Sequence, residues 1–250
     1  MQGLHASLAD GEIRYLVGGQ GPALVCLHPA SGVRITQAAE ALMQSFTIYL
    51  PTLPGFDGTS AARVSADVPL LGRWIGEFVE AAIGRPVHLA GHSFGGWVAG
   101  WAAVQRPDLV ESLVLQCPAG FWPLGLCKPA AADAATVLAR SYAHPENRRP
   151  EAKSEETIAA NRRLAAAYGV GGPCDDALLA RLGRLQIPML LLHGRQDGVI
   201  PAKSAQLLHG AIPHAKMVWV EDAAHNIEVD QPDAYARLVK QFLFAETRHG

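Results

Sequence analysis

Residues 86–96 read PVHLAGHSFGG. A short apolar run ends in Gly91-His92-Ser93-Phe94-Gly95-Gly96, and residues 94–105 then carry helical spacing. A strand that turns tightly into a helix needs residues that let neighbouring backbone pass close by. The glycines two before and two after Ser93 supply this. Such a turn forces the serine into a strained backbone conformation and stands its hydroxyl clear of the sheet. At the helix N-terminus the first amides carry partial positive charge and favour an anion. The competing reading is an ordinary glycine-rich turn in which Ser93 caps the helix. The strand before it and the helix after it favour an exposed nucleophile.

Working outward, apolar runs of strand length recur between turn signals at 22–29 (PALVCLHP), 46–51 (FTIYLP), 111–118 (ESLVLQCP), 187–194 (IPMLLLHG) and 215–222 (AKMVWVED). Continuous apolar runs of this kind suit strands covered on both faces. Helical spacing occupies 35–45, 68–83, 202–211 and 232–244. Two further runs, 5–9 and 12–17, flank Asp10-Gly11, a hairpin signal. The alternation predicts an α/β fold, a mostly parallel sheet with helices on both faces. Residues 119–185 break the rhythm, for they hold no strand candidate. They open with AGFWPLGLCKP and continue in three helical pieces, 130–142, 155–168 and 175–182, parted by a charged turn at 144–153 and by GVGGP at 169–173. Structureless loops that long are uncommon in compact domains. The expectation is a core of 1–118 and 186–250 and a helical cap, or lid insertion, of 119–185.

The composition narrows the function. A chain of 250 residues that is 49% hydrophobic and 18% charged suits one folded domain with an insertion and excludes a disordered chain. The net charge of −2 leaves no basic excess for nucleic acid. No window of about eighteen uninterrupted apolar residues predicts a membrane span. The N-terminal MQGLHASLADGEIRY lacks the basic segment and apolar run of a signal peptide. Cys26, Cys117, Cys127 and Cys174 have no CxxC spacing, and two fall in apolar runs where a buried thiol is expected. The expected setting is the cytoplasm with thiols reduced, and the expected partner a small-molecule substrate rather than nucleic acid or membrane.

A serine is a weak nucleophile until a base, itself oriented by a third group, takes its proton. Asp197 follows the run at 187–194 and His225 follows the run at 215–222. Loops after parallel strands open on one edge of the sheet, where ligands bind. Ser93, Asp197 and His225, each after its own strand, are therefore the candidate catalytic set. Other polar residues fit structural parts. His28 orders a loop at a strand end, His92 is locked in the turn, His193 ends a strand, and Asp222 is a solvated turn residue. His144, His209, His214 and His249 have no partner in view. The HExxH spacing of zinc sites is absent, and no metal or cofactor is predicted. The oxyanion of acyl transfer needs two backbone N–H donors. Phe94 supplies one. The loop His28-Pro29-Ala30-Ser31-Gly32 supplies the other: Pro29 has no N–H, so Ala30 is the expected donor. Ser31 is the fallback, with a hydroxyl able to touch substrate.

Taken together, the chain resembles the α/β-hydrolase superfamily over nearly all of its length. HPASG (28–32) resembles that family's His-Gly-x-x-Gly oxyanion segment, and LPGFDGTS (53–60) its D-x-P-G-x-G-x-S loop. GHSFGG resembles its nucleophile elbow, HGRQDGVIP (193–201) its acid loop, and AHNIEVDQPDAY (224–235) its histidine loop. Pro29, Thr52, Ala224 and Asp230 depart from the usual glycine, aspartate, glycine and glutamate, and none removes a catalytic group. A serine at the elbow separates the chain from haloalkane dehalogenases and epoxide hydrolases, which use an aspartate. The chain is most similar to carboxylesterases, enol-lactone hydrolases and meta-cleavage C–C hydrolases with a short helical cap. The resemblance implies a pocket between elbow and cap. Phe121 and Trp122 are expected in it; Trp97, like Trp101 one turn on, either touches substrate or packs helix against cap. Arg148, Arg149, Arg162 and Arg163 of the cap either bind a substrate carboxylate or lie on the surface. The implied activity is cofactor-free hydrolysis of a small carboxylic ester or thioester through an acyl-enzyme. The alternatives are C–C bond hydrolysis with the same triad, or a ligand receptor on this fold.

Overall fold

The computed structural model describes residues 1–60, 67–126, 134–150 and 152–246. Cys127, His249 and the first residues of the helix expected at 130–142 lie outside them.

Strand-length apolar runs became strands because their alternate residues serve two different cores. In β3 (Ala23–Leu27), β5 (Val87–His92), β6 (Val110–Gln116) and β7 (Met189–Gly194), odd-numbered residues such as Val25, Leu89, Leu113 and Leu191 join one core. Even-numbered Leu24, Ala90, Val114 and Leu190 join the other. Side chains alternate across a strand, so a sheet buried on both faces needs an apolar residue at every position. With β1 (Gln2–Leu8), β2 (Gly11–Gly19), β4 (Thr47–Pro51) and β8 (Lys216–Val220) these form one eight-stranded sheet in the order β1-β2-β4-β3-β5-β6-β7-β8. The β1–β2 and β2–β4 pairings are antiparallel and the rest parallel.

The helices divide between the two faces. On one, α2 (Val68–Phe78) buries Val68, Leu71, Ile75 and Phe78 against α3 (Phe94–Gln105), the spacing of a single helical stripe. On the same face α7 (Ala202–Ala211) adds Leu208 to that core. On the other, α1 (Gln37–Leu42) packs on α9 (Pro232–Glu246), which buries Ala236, Val239, Phe242 and Leu243. Thr36 caps α1 by accepting the Ala39 amide at 3.2 Å.

Between β6 and β7 the described residues hold α4 (Ala134–Ser141), α5 (Glu155–Ala167) and α6 (Asp176–Leu182) and no strand. Ser154 and Asp175 cap α5 and α6 through the amides of Thr157 and Leu178. Two details differ from expectation. The hairpin turns on Ala9-Asp10, because Leu8 pairs directly with Gly11. A four-residue helix, α8 (Ile227–Asp230), follows His225, where neither length nor periodicity could announce it. No helix among the described residues is long and apolar enough to cross a membrane.

Candidate active site

The C-terminal ends of β3, β5, β7 and β8 open on one edge of the sheet because these strands run parallel. Ser93, directly after β5, has φ 54° and ψ −113°, a conformation that costs a residue with a Cβ free energy and persists only where its surroundings hold it. The surroundings are backbone on backbone. A Cβ on Gly91 would lie 2.3 Å from the Gly95 carbonyl oxygen, and one on Gly95 would lie 2.4 Å from that of Leu27. The Ser93 amide donates to Gln116 O at 2.9 Å, and its carbonyl accepts from Trp97 and Ala119. Its hydroxyl does not cap α3, so the capping reading is not the one realised.

Asp197 and His225 come together. His225 Nδ1 lies 2.9 Å from Asp197 Oδ2, and the Asp197 side chain is wholly buried. Asp197 Oδ1 accepts the amides of Val199 and Ile200 at 2.7 and 2.9 Å. Burial alone would raise this carboxyl; the neighbouring His225, through charge and hydrogen bond, more than reverses that and holds it at about 2. An ionised Asp197 can only accept, so Nδ1 carries the proton and Nε2 is left with a lone pair. The hydrogen bond between Ser93 Oγ and His225 is not formed in this structure. Contacts of this kind are often long before substrate arrives.

His225 is also braced from the elbow side. The His92 ring lies 4.7 Å from that of His225, and its Nδ1 is 3.4 Å from the Glu228 carboxylate. Glu228 in turn binds Arg34 and Gln116, and Arg34 reaches Asn226 and the Tyr142 hydroxyl. Burial opposes charge on Glu228, yet His92 and Arg34 hold its carboxyl far below the usual carboxylate range. Sequence reasoning missed this group, because Arg34, in the loop after β3, and Glu228, in the four-residue α8, share no sequence pattern.

The other expected residues fall as follows. Phe94 is fully buried between the rings of Phe56 and Tyr168, at 5.4 and 5.5 Å. Ala30 and Ser31 are half-buried in the loop after β3. His28 orders that loop: its Nε2 accepts the Leu53 amide and its Nδ1 donates to Pro29 O at 2.8 Å, while burial lowers its imidazolium to about 4. Phe121 and Trp122 are buried just beyond Ala119, beside the elbow. The indole N–H groups of Trp97 and Trp101 both donate to Asp175 Oδ2 at 2.8 Å, which ties α3 to α6. Arg162 and Arg163 are exposed; Arg149 grips Glu40 with two hydrogen bonds and Arg148 stacks on Tyr142. His144, expected without a partner, pairs with Glu146 and Asp222, because the fold brings its turn to the end of β8. Asp230 accepts the amides of Ala143, His144 and Ala224, anchoring the histidine loop.

One trio among the described residues could in principle ligate a metal: Cys117, Asp197 and His225, whose ligand atoms lie within 4.8 Å of one another. Burial keeps the Cys117 thiol protonated, and a metal would have to break the His225–Asp197 bond. The trio therefore reads better as a hydrogen-bonded acid–base pair beside a buried thiol.

Comparison with known proteins shows the family and the fold. Residues 24–238 match the model of the alpha/beta hydrolase family. The pimeloyl-[acyl-carrier protein] methyl ester esterase of Aeromonas salmonicida is 28% identical over 248 residues, covering 90% of this chain and 96% of its own. A monoacylglycerol lipase of Xenopus laevis is 26% identical, covering 90% of this chain and 76% of its own. A lipase candidate from Acinetobacter baumannii AYE superposes with a TM-score of 0.80 at 22% identity, over 100% of this chain and 93% of that one. A serine hydrolase of carbazole degradation gives 0.75 at 20% identity, over 98% and 100%.

Proposed function

Because this chain belongs to the alpha/beta hydrolase family, we propose that it is a serine hydrolase that cleaves small carboxylic esters, with Ser93, His225 and Asp197 as its catalytic triad. The observation that carries the reading is the pairing of a strained, uncapping Ser93 at the end of β5 with a His225–Asp197 hydrogen bond of 2.9 Å at the same sheet edge.

The chemistry follows from those atoms. His225 Nε2, free to accept because Asp197 holds the proton on Nδ1, takes the Ser93 proton as the oxygen attacks the ester carbonyl. The Ala30 and Phe94 amides hold the developing oxyanion. His225 then protonates the departing alcohol, and the acyl group stays on Ser93. Water, deprotonated by His225, attacks that acyl-enzyme, and the acid leaves with Ser93 restored. Asp197 stabilises the imidazolium in both halves, and its wholly buried position makes that interaction strong.

Residues 119–185 serve as a cap over this edge. Support comes from Asp175, which fastens α6 to both α3 tryptophans, and from Phe121 and Trp122, apolar side chains buried just beyond the elbow. The esterase and lipase relatives favour an ester over a C–C bond. So do the cap arginines, which are exposed rather than turned into a buried carboxylate site.

A fluorophosphonate should label the protein on Ser93, and Ser93→Ala should lose labelling together with p-nitrophenyl butyrate turnover, by on the order of a million-fold. Undiminished labelling of the alanine variant would remove Ser93 from the reaction.

A further inference from the structure

A second, partly buried polar cluster joins three segments that lie far apart in the sequence. Its centre is Asp57, at φ 50° in the short turn Phe56–Gly58. Asp57 Oδ2 accepts the Val33 amide at 2.8 Å. Asp57 Oδ1 accepts from Asn161 Nδ2 at 2.7 Å and from Lys153 Nζ at 3.0 Å. The Asp57 amide returns a hydrogen bond to Asn161 Oδ1 at 2.9 Å. Lys153 Nζ donates further to Ser31 O and Val33 O, at 3.1 and 2.6 Å, and Asn161 Nδ2 donates to Ser31 O at 3.0 Å. All three ammonium donors of Lys153 are thus used, and so are both ends of the Asn161 amide.

Two of these residues come from the proposed cap: Lys153 precedes α5, and Asn161, only 2% exposed, lies within it. What they grip is the loop after β3. Gly32 is wrapped so closely that a Cβ on it would lie 2.1 Å from Asp57 Oδ1, and its φ is 91°. The Gly32 amide donates to Pro29 O at 3.0 Å, and His28 Nδ1 donates to the same oxygen at 2.8 Å. A trans peptide is planar, with its N–H opposed to its C=O. Two donors on Pro29 O therefore aim the Ala30 N–H in the opposite direction. The aim depends on Gly32, whose position depends on Ser31 and Val33, and these are held by Lys153, Asn161 and Asp57.

We propose that Asp57, Lys153 and Asn161 are positioning residues that couple the seating of the cap to the direction of the Ala30 N–H. This inference rests on the reading of Ala30 as an oxyanion donor. With the cap seated, the donor is aimed and the enzyme is competent. With the cap displaced, Ser31 O, Val33 O and the Val33 amide lose their partners, and the loop relaxes. None of the three residues touches the reacting atoms. Activation is thereby linked to enclosure of substrate, because the helix that covers the site also tightens its oxyanion loop.

The test uses the full-length protein with Lys153→Met, which keeps the aliphatic stem and removes the donors, and Asn161→Ala. Arg163→Ala is an exposed cap control. Steady-state kinetics on p-nitrophenyl butyrate are read beside inhibition by an aryl trifluoromethyl ketone, which forms a tetrahedral oxyanion on the serine. Removing or misplacing one oxyanion donor costs about a hundredfold in kcat. The expected result for each variant is a fall of roughly ten- to a hundredfold in kcat, with KM within about threefold. Ketone affinity should fall by the same factor as kcat. A cluster that only staples the cap would instead lower the unfolding midpoint and leave kcat and ketone affinity at wild-type values in the folded protein; that outcome overturns the proposal. Should Asn161→Ala fail to fold, Lys153→Met carries the test, since its ammonium sits nearer the surface. Wild-type protein that the ketone does not inhibit would remove the serine-hydrolase reading itself. Potent wild-type inhibition with unaffected variants would remove only the coupling.

Discussion

Asp197→Asn is the sharpest perturbation of the proposed triad, because the structure leaves the new amide only two ways to sit. The native carboxylate accepts on both sides: Oδ1 from the amides of Val199 and Ile200, Oδ2 from His225 Nδ1. An asparagine that keeps its oxygen on the two amides must point its NH2 at His225. Nδ1 then has to accept, the proton moves to Nε2, and His225 presents a donor to Ser93 where a base is required. The flipped amide would set NH2 against two backbone donors and lose both hydrogen bonds, so the first arrangement wins. The fold should survive, while kcat falls by roughly ten-thousand-fold, as expected for the wrong tautomer; this corresponds to about 5.4 kcal/mol of transition-state stabilisation. The assay is p-nitrophenyl butyrate hydrolysis beside thermal unfolding, with Asp222→Asn as comparison. Asp222 is largely exposed and binds His144 and Gln231 instead, so its variant should stay within a few-fold of wild type. An Asp197→Asn enzyme within tenfold of wild type, or an Asp222→Asn enzyme equally impaired, would refute the pairing.

Two further outcomes concern stability. Burial lowers the His28 imidazolium to about 4, against about 6.5 in an unfolded chain. The native state thus binds fewer protons than the unfolded state between those values, so stability falls as pH drops through that window and levels off below it; the full effect is about 3 kcal/mol. Urea unfolding at several pH values should show His28→Gln with a shallower slope there than wild type, and equal slopes would dismiss the assignment. Asp175→Ala should cost about 2–4 kcal/mol, since it orphans two buried indole N–H groups and removes the cap of α6. Asp175→Asn, which can still accept, should recover part of that, measured by the denaturant midpoint and by tryptophan emission.

Much of the architecture was legible because its signals are local. The inner strands β3, β5, β6 and β7 were readable since they are buried on both faces, and α3 and α7 begin and end where their spacing indicated. The hairpin was legible but its turn slipped by one residue, because Asp10-Gly11 suits several registers and the pairing of Leu8 with Gly11 chooses among them. The four-residue α8 left no trace, being barely one turn long and too short for a hydrophobic period to repeat.

The sequence by itself determined the strands, the longer helices, their order, and which residues stand at the ends of parallel strands. Those follow from backbone geometry and the burial of neighbouring side chains, which nearby residues dictate. The fold alone decided who meets whom. Nothing local links Asn161 to Asp57, Arg34 to Glu228, or Asp175 to two tryptophans on another helix. Those hydrogen bonds join segments separated by tens to nearly two hundred residues. A polar side chain carries no periodic mark of its partner; it is satisfied by whatever the packed layers bring within reach, and only the closed chain sets that distance.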